Sequence, residues 1–121
     1  VRVIVAGSRE FSDYKLLKRK LDRLFSKLDK KKLVILSGHA EGADRLGERW
    51  ASENYVTYEI HRPDYDKYPG GSAPIVRNAE MVKAADCLVA FWLGDGSKGT
   101  ADVIMKARVK GIPVRIIKVK G

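Results

Sequence analysis

Short runs of consecutive β-branched and aliphatic residues alternate along this chain with longer stretches whose apolar residues recur every three or four positions. Val1 to Ala6 is the first run. Closed by Gly7-Ser8-Arg9, it predicts a strand buried on both faces and ending in a tight loop. Ser12 and Asp13 then stand as helix caps. Behind them Leu16, Leu17, Leu21, Leu24, Phe25 and Leu28 keep helical spacing, with Lys15, Lys18, Arg19 and Arg23 largely on the other side. Lys30 to Lys32 predicts a turn and Leu33 to Leu36 a second buried strand. The loop Ser37-Gly38-His39-Ala40-Glu41-Gly42 leads into a helix from about Ala43 to Asn54, and Val56 to Ile60 predicts a third strand.

From His61 to Pro74 the chain carries Pro63, Pro69, Pro74, Gly70 and Gly71, too irregular for an element and longer than the usual connection. Ser72 as cap and Pro74 in the first turn predict a helix through Ala85. Leu88 to Leu93 predicts a fourth strand. Gly94 to Thr100 opens a helix ending near Lys110, with Gly111 as its stop, and Pro113 to Val119 predicts the last strand. Strand and helix alternate throughout, so the expected architecture is α/β: one three-layer domain over residues 1–121, with a mostly parallel five-stranded sheet between helices. In such a sheet ligands bind beyond the carboxyl ends of the strands, where strand order reverses. The loops after the first four strands would therefore converge on one edge.

Composition narrows the class further. The chain has 121 residues, 45% of them hydrophobic, and a net charge of +9. That apolar share excludes a disordered tail. A membrane span needs about 20 nearly uninterrupted apolar residues, whereas the longest apolar stretch is Cys87 to Leu93. Cys87 is the single cysteine, so an internal disulfide and a multi-cysteine zinc site are excluded, and a reducing cytoplasm is the expected compartment. Val1 to Ala6 is too short for the apolar core of a signal peptide. The positive charge gathers in the first forty and last forty residues and favours anionic partners, small or polymeric.

Gly94 to Thr100 is the foremost phosphate-site candidate, because Gly96 and Gly99 let backbone approach an anion at a helix N-terminus while Ser97, Lys98 and Thr100 add donors. Although Gly94, Gly96 and Gly99 spell G-x-G-x-x-G, they follow the fourth strand rather than the first. The order Lys98-Gly99-Thr100 is not that of a P-loop. Gly7, Ser8 and Arg9 supply a turn, a hydroxyl and a guanidinium beyond the first strand. Arg77 and Asn78, near the start of the third helix, face the same crevice. Asp44 could hold ribose hydroxyls or act as a base there, while Glu48 reads as part of a salt-bridged helix surface like Arg49 and Glu53. His39 and His61 show no metal spacing, so neither a metal nor a resident cofactor is expected. Trp50, Phe91 and Trp92 read as core. Tyr65 and Tyr68, in the long loop, could cover a base or pack within the loop.

Taken together, Val3 to Arg9, Phe11, Asp13 and Tyr14, Ser37-Gly38 with Gly42-Ala43-Asp44, Arg77-Asn78 with Met81, Ala90-Phe91-Trp92 and Gly99-Thr100 resemble the SLOG superfamily in its YspA, YpsA-related branch. The resemblance spans nearly the whole chain. It implies a Rossmann-like fold and binding of nucleotides or nucleotide-derived ligands, including NAD and ADP-ribose types. The superfamily also includes cytokinin-activating phosphoribohydrolases, whose pattern P-G-G-x-G-T-x-x-E aligns with Gly96, Gly99 and Thr100. Here Asp95 replaces the proline, Ser97 a glycine and Val103 the glutamate, with Asp102 next to it. Arg77 is similar to that family's catalytic arginine.

The first expectation is therefore a domain that senses or sequesters a nucleoside phosphate or an NAD-derived metabolite. Gly7, Ser8, Arg9, Gly38, Asp44, Arg77, Asn78 and Gly96 to Thr100 would form its site. A second expectation is an N-glycosidic hydrolase in which Arg77 orients phosphate and Asp102 or Asp44 stabilises the oxocarbenium. A third is nucleic-acid binding through the basic first helix and Lys30 to Lys32. A homo-oligomer stays open, with no apolar face large enough to mark an interface, and no membrane association is expected.

Overall fold

The computed structural model describes residues 1–94 and 97–119. Five strands, β1 (Arg2–Gly7), β2 (Val34–Ser37), β3 (Thr57–Ile60), β4 (Cys87–Trp92) and β5 (Val114–Lys118), alternate with helices α1 (Tyr14–Leu24), α2 (Ala43–Glu53), α3 (Ala73–Ala84) and α4 (Lys98–Lys110). Every strand pairing is parallel, in the order β3-β2-β1-β4-β5. The order reverses between β1 and β4, so their loops part toward opposite faces and leave a crevice at the sheet's carboxyl edge.

Alternation along β1 explains both cores. Val3 and Val5 face α1 and α2, packing with Leu17, Leu21, Trp50 and Phe91. Ile4 and Ala6 face α3 and α4, packing with Met81, Val82, Val103 and Ile104. Trp50 and Phe91 are fully buried, as their place in regular elements predicts, and Phe11 stacks on Phe91 with ring centroids 5.2 Å apart. At the central pair, a side chain on Gly7 would lie 2.2 Å from the Phe91 carbonyl oxygen. Only glycine lets β1 end against β4 this closely.

Two local expectations change, at the end of α1 and at Ser72, while the turn at Lys30–Lys32 is found as expected. The apolar spacing extends α1 to Leu28, but the helix stops at Leu24, where the Ser26 hydroxyl and backbone N–H both donate to the Arg23 carbonyl. Leu28 is left exposed. Lys30–Lys32 forms a short 3-10 turn capped by Asp29. Ser72 caps nothing with its side chain, because its hydroxyl donates to the Pro69 carbonyl. By contrast Asp13 caps α1 by accepting from the Leu16 N–H at 3.0 Å, and Gly111 ends α4 in the left-handed conformation.

Candidate functional site

A cleft of about 660 Å³ opens where the strand order reverses, lined by residues from the end of β1, the loops after β1 and β2, and the helices α2, α3 and α4. Its volume lies in the range of small-molecule sites. Gly7, Arg9, Asp44, Arg77, Asn78, Ser97, Lys98, Gly99, Thr100 and Asp102 all line it. Ser8 and Gly38 do not. Ser8 is fully buried, and its hydroxyl accepts the Leu93 N–H at 3.0 Å, tying the β1 loop to the end of β4. Gly38 lies beneath the wall. Gly96 falls outside the described residues.

Arg77 is half-buried and held on two sides. Its Nε donates to Asn78 Oδ1 at 2.9 Å and its Nη1 to the Gly38 carbonyl at 2.7 Å. Neither acceptor carries a charge, so the guanidinium keeps its positive field for the cleft, with N–H groups to spare. Desolvation by burial holds its pKa below the usual arginine value. Asn78 is buried and in turn donates to the Gly99 carbonyl at 3.2 Å and to Asp102 Oδ2 at 3.0 Å. Lys106 Nζ donates to the other oxygen, Asp102 Oδ1, at 2.5 Å. The candidate Asp102 thus has both oxygens engaged, Oδ2 in joining α3 to α4 and Oδ1 in an ion pair within α4. Val103, only 2% exposed, brings an apolar side chain to the cleft.

The α4 end of the cleft gathers positively polarised groups. The Ser97 side chain makes no capping hydrogen bond to the helix, and no acidic residue occupies its first turn. Its leading N–H groups and the positive end of its dipole meet the cleft beside Lys98 and the hydroxyls of Ser97 and Thr100, which are 3.1 Å apart. A side chain on Gly99 would meet nothing within 4 Å, so the open space there belongs to the cleft. Pro74, Ile75 and Met81 give the opposite wall an apolar character.

Of the two described acids that line the cleft, Asp44 is the one outside an ion pair. It is 6% exposed, and its nearest partner is the Ala40 N–H, which donates to Oδ2 at 3.4 Å. Burial raises its pKa to about 6 against the opposing fields of Arg77 and Arg9, while Glu48 reinforces the rise. Glu48 itself departs from the surface role its spacing predicts. It receives the Ser37 hydroxyl at 2.6 Å and His39 Nδ1 at 2.9 Å, pinning the loop after β2, whereas Arg49 and Glu53 form the expected surface pair. His39 is held at a positive φ of 60° by this clasp, and its own N–H donates to the Ser37 hydroxyl. No regular spacing in the sequence announces this cluster.

Among the remaining candidates, Tyr65 is exposed, while Tyr68 packs within its loop under Lys67. Lys15, Arg19 and Arg23 are exposed on α1, outside the cleft lining, and Lys18 pairs with Asp22. Among the described residues no cluster of His, Cys, Asp and Glu could hold a metal, and no helix is long and apolar enough to cross a membrane.

Residues 1–68, which include β1, Asp44 and the loop after β2, match the profile of the YspA, cpYpsA-related SLOG family. The chain belongs to the SLOG family. The chain is similar to the Gene 61 protein of Mycobacterium phage D29, 40% identical over 93% of each chain. Among solved structures, DNA processing protein A from Streptococcus pneumoniae superposes with a TM-score of 0.75 at 18% identity, covering 98% of this SLOG chain and 50% of that one. The SLOG domain here thus spans about half the length of that neighbour, and the likeness establishes the shared fold.

Proposed function

We propose that this SLOG domain binds a nucleotide or nucleotide-derived metabolite of the nucleoside phosphate, NAD or ADP-ribose type in the cleft, as a sensor or sequestering domain. The observation that carries this reading is the pairing of two unlike ends in one cleft. At one end the α4 N-terminus, Lys98, Thr100 and the oriented Arg77 guanidinium favour a phosphate; nearby, Asp44 is an acceptor for uncharged donors. Pro74, Ile75 and Met81 offer an apolar surface for a base. Binding without cleavage is favoured because Val103 stands where the phosphoribohydrolase pattern has glutamate and both oxygens of Asp102 are engaged by Asn78 and Lys106.

A thermal-shift panel of nucleoside mono-, di- and triphosphates, NAD and ADP-ribose tests the reading, since a ligand of the folded state raises the melting temperature by mass action. Stabilisation by members of the panel, abolished in Arg77→Ala, is the expected result. No shift with any member, alongside binding of DNA at low salt through the α1 face, would replace it with the nucleic-acid reading.

A further inference from the structure

We infer that the cleft selects a ribonucleotide whose 2′ and 3′ hydroxyls are both free, and that Asp44 is the residue that reads them. The inference rests on the nucleotide reading of the cleft and adds to it the class of sugar that fits. Asp44 is more than nine-tenths buried, yet among the described residues no cation lies within ion-pair distance of it. One long bond from the Ala40 N–H reaches Oδ2, and no side chain or backbone N–H of the described residues donates to Oδ1. An ionised carboxylate offers about four acceptor positions. Buried polar groups take partners, so those of Asp44 await donors from whatever fills the cleft.

Which donors they are follows from the neighbours. Asp44 Oδ2 and Arg77 Nη1 lie 2.9 and 2.5 Å from the position a Gly38 side chain would take, so the acceptor sits directly beside the anion-binding guanidinium. An occupant must therefore carry a negative group and, a few bonds away, uncharged donors. A cis-diol presents two O–H groups on adjacent carbons and matches the two oxygens of one carboxylate. A phosphate at either hydroxyl would instead set a second negative charge against a carboxylate that is already desolvated. Deoxyribonucleotides lack one donor. Nucleotides inside any polynucleotide have the 3′ oxygen esterified, so the cleft takes free or terminal ribonucleotides rather than the interior of a strand.

Calorimetric titration of the full chain and of Asp44→Asn with AMP, 2′-deoxy-AMP, 3′-deoxy-AMP and adenosine 3′,5′-bisphosphate tests this, repeated with guanine, cytosine and uracil counterparts because the base is not assigned. The expected result is that each deoxy form binds roughly 10- to 100-fold more weakly than its ribonucleotide, the loss of a hydrogen bond to a charged group, and that the bisphosphate does not bind. In Asp44→Asn the ribonucleotide should weaken toward the deoxy forms and the bisphosphate should gain affinity. Equal affinity for ribo and deoxy forms would overturn the inference and leave the nucleotide reading standing. Discrimination that survives in a folded Asp44→Asn would overturn the assignment to Asp44, and binding by none of the probes would overturn both.

Discussion

Asp44 and Arg77 stand on either side of Gly38 as opposite charges that do not form an ion pair. Each would lie within 3 Å of a side chain at Gly38, yet the Arg77 N–H groups go to the Gly38 carbonyl and Asn78, and Asp44 is left to the Ala40 N–H. A direct pair would neutralise both groups. Kept apart, they face the cleft as a separate donor and acceptor, and the cost of that separation is measurable.

The Asp44 carboxyl has a pKa of about 6 in the folded protein against 3.8 for the unperturbed group. Because the folded value is raised, stability from this group is fully present below pH 3.8 and is lost as pH rises to about 6. At pH 7 the ionised form costs on the order of 3 kcal/mol. Asp44→Asn should therefore raise unfolding free energy at pH 7 by roughly 1–3 kcal/mol in urea titrations, with the gain shrinking toward pH 4. A variant less stable than the parent at pH 7 would contradict this.

Gly99→Ala separates binding from folding. The added methyl meets no protein atom within 4 Å and lies in the first turn of α4. Thermal unfolding should shift by less than about 1 kcal/mol equivalent, in the stabilising direction if at all. Nucleotide affinity should fall about tenfold or more if phosphate packs against this backbone.

Asp102→Ala should act on stability first. It removes the shared acceptor of Lys106 and Asn78 and leaves the buried Asn78 amide short of a partner, at a cost of roughly 1–3 kcal/mol by chemical denaturation. A variant as stable as the parent would show that Asp102 does not hold α3 to α4.

Much of this arrangement is legible in the sequence, because the strands are short, β-branched and separated by loops with clear punctuation. A parallel α/β sheet places the loops after β1, β2, β3 and β4 at one edge, so Arg9, Asp44, Arg77 and Thr100 can be assigned to one site from the sequence. Other features are set by contacts between distant segments. Ser8 looks like a ligand hydroxyl in its loop, but β4 passes close enough to bury it and take its oxygen for Leu93. Glu48 has the spacing of a surface residue, yet the loop after β2 folds Ser37 and His39 onto it. Leu28 continues a helical period that the chain abandons at Leu24, where a local serine bond ends the helix. Neither the unpaired state of Asp44 nor the double engagement of Asp102 follows from spacing.

Binding of a nucleotide in the cleft between β1 and α4 can be read residue by residue through amide chemical-shift mapping of isotope-labelled protein during titration with AMP and ADP-ribose. Saturable shifts are expected at the cleft residues Gly7, Arg9, Asp44, Arg77 and Lys98 to Thr100, with α1 unmoved. Shifts that instead follow Lys15, Arg19 and Arg23 along α1, or none at ligand concentrations up to the millimolar range, would contradict binding in the cleft.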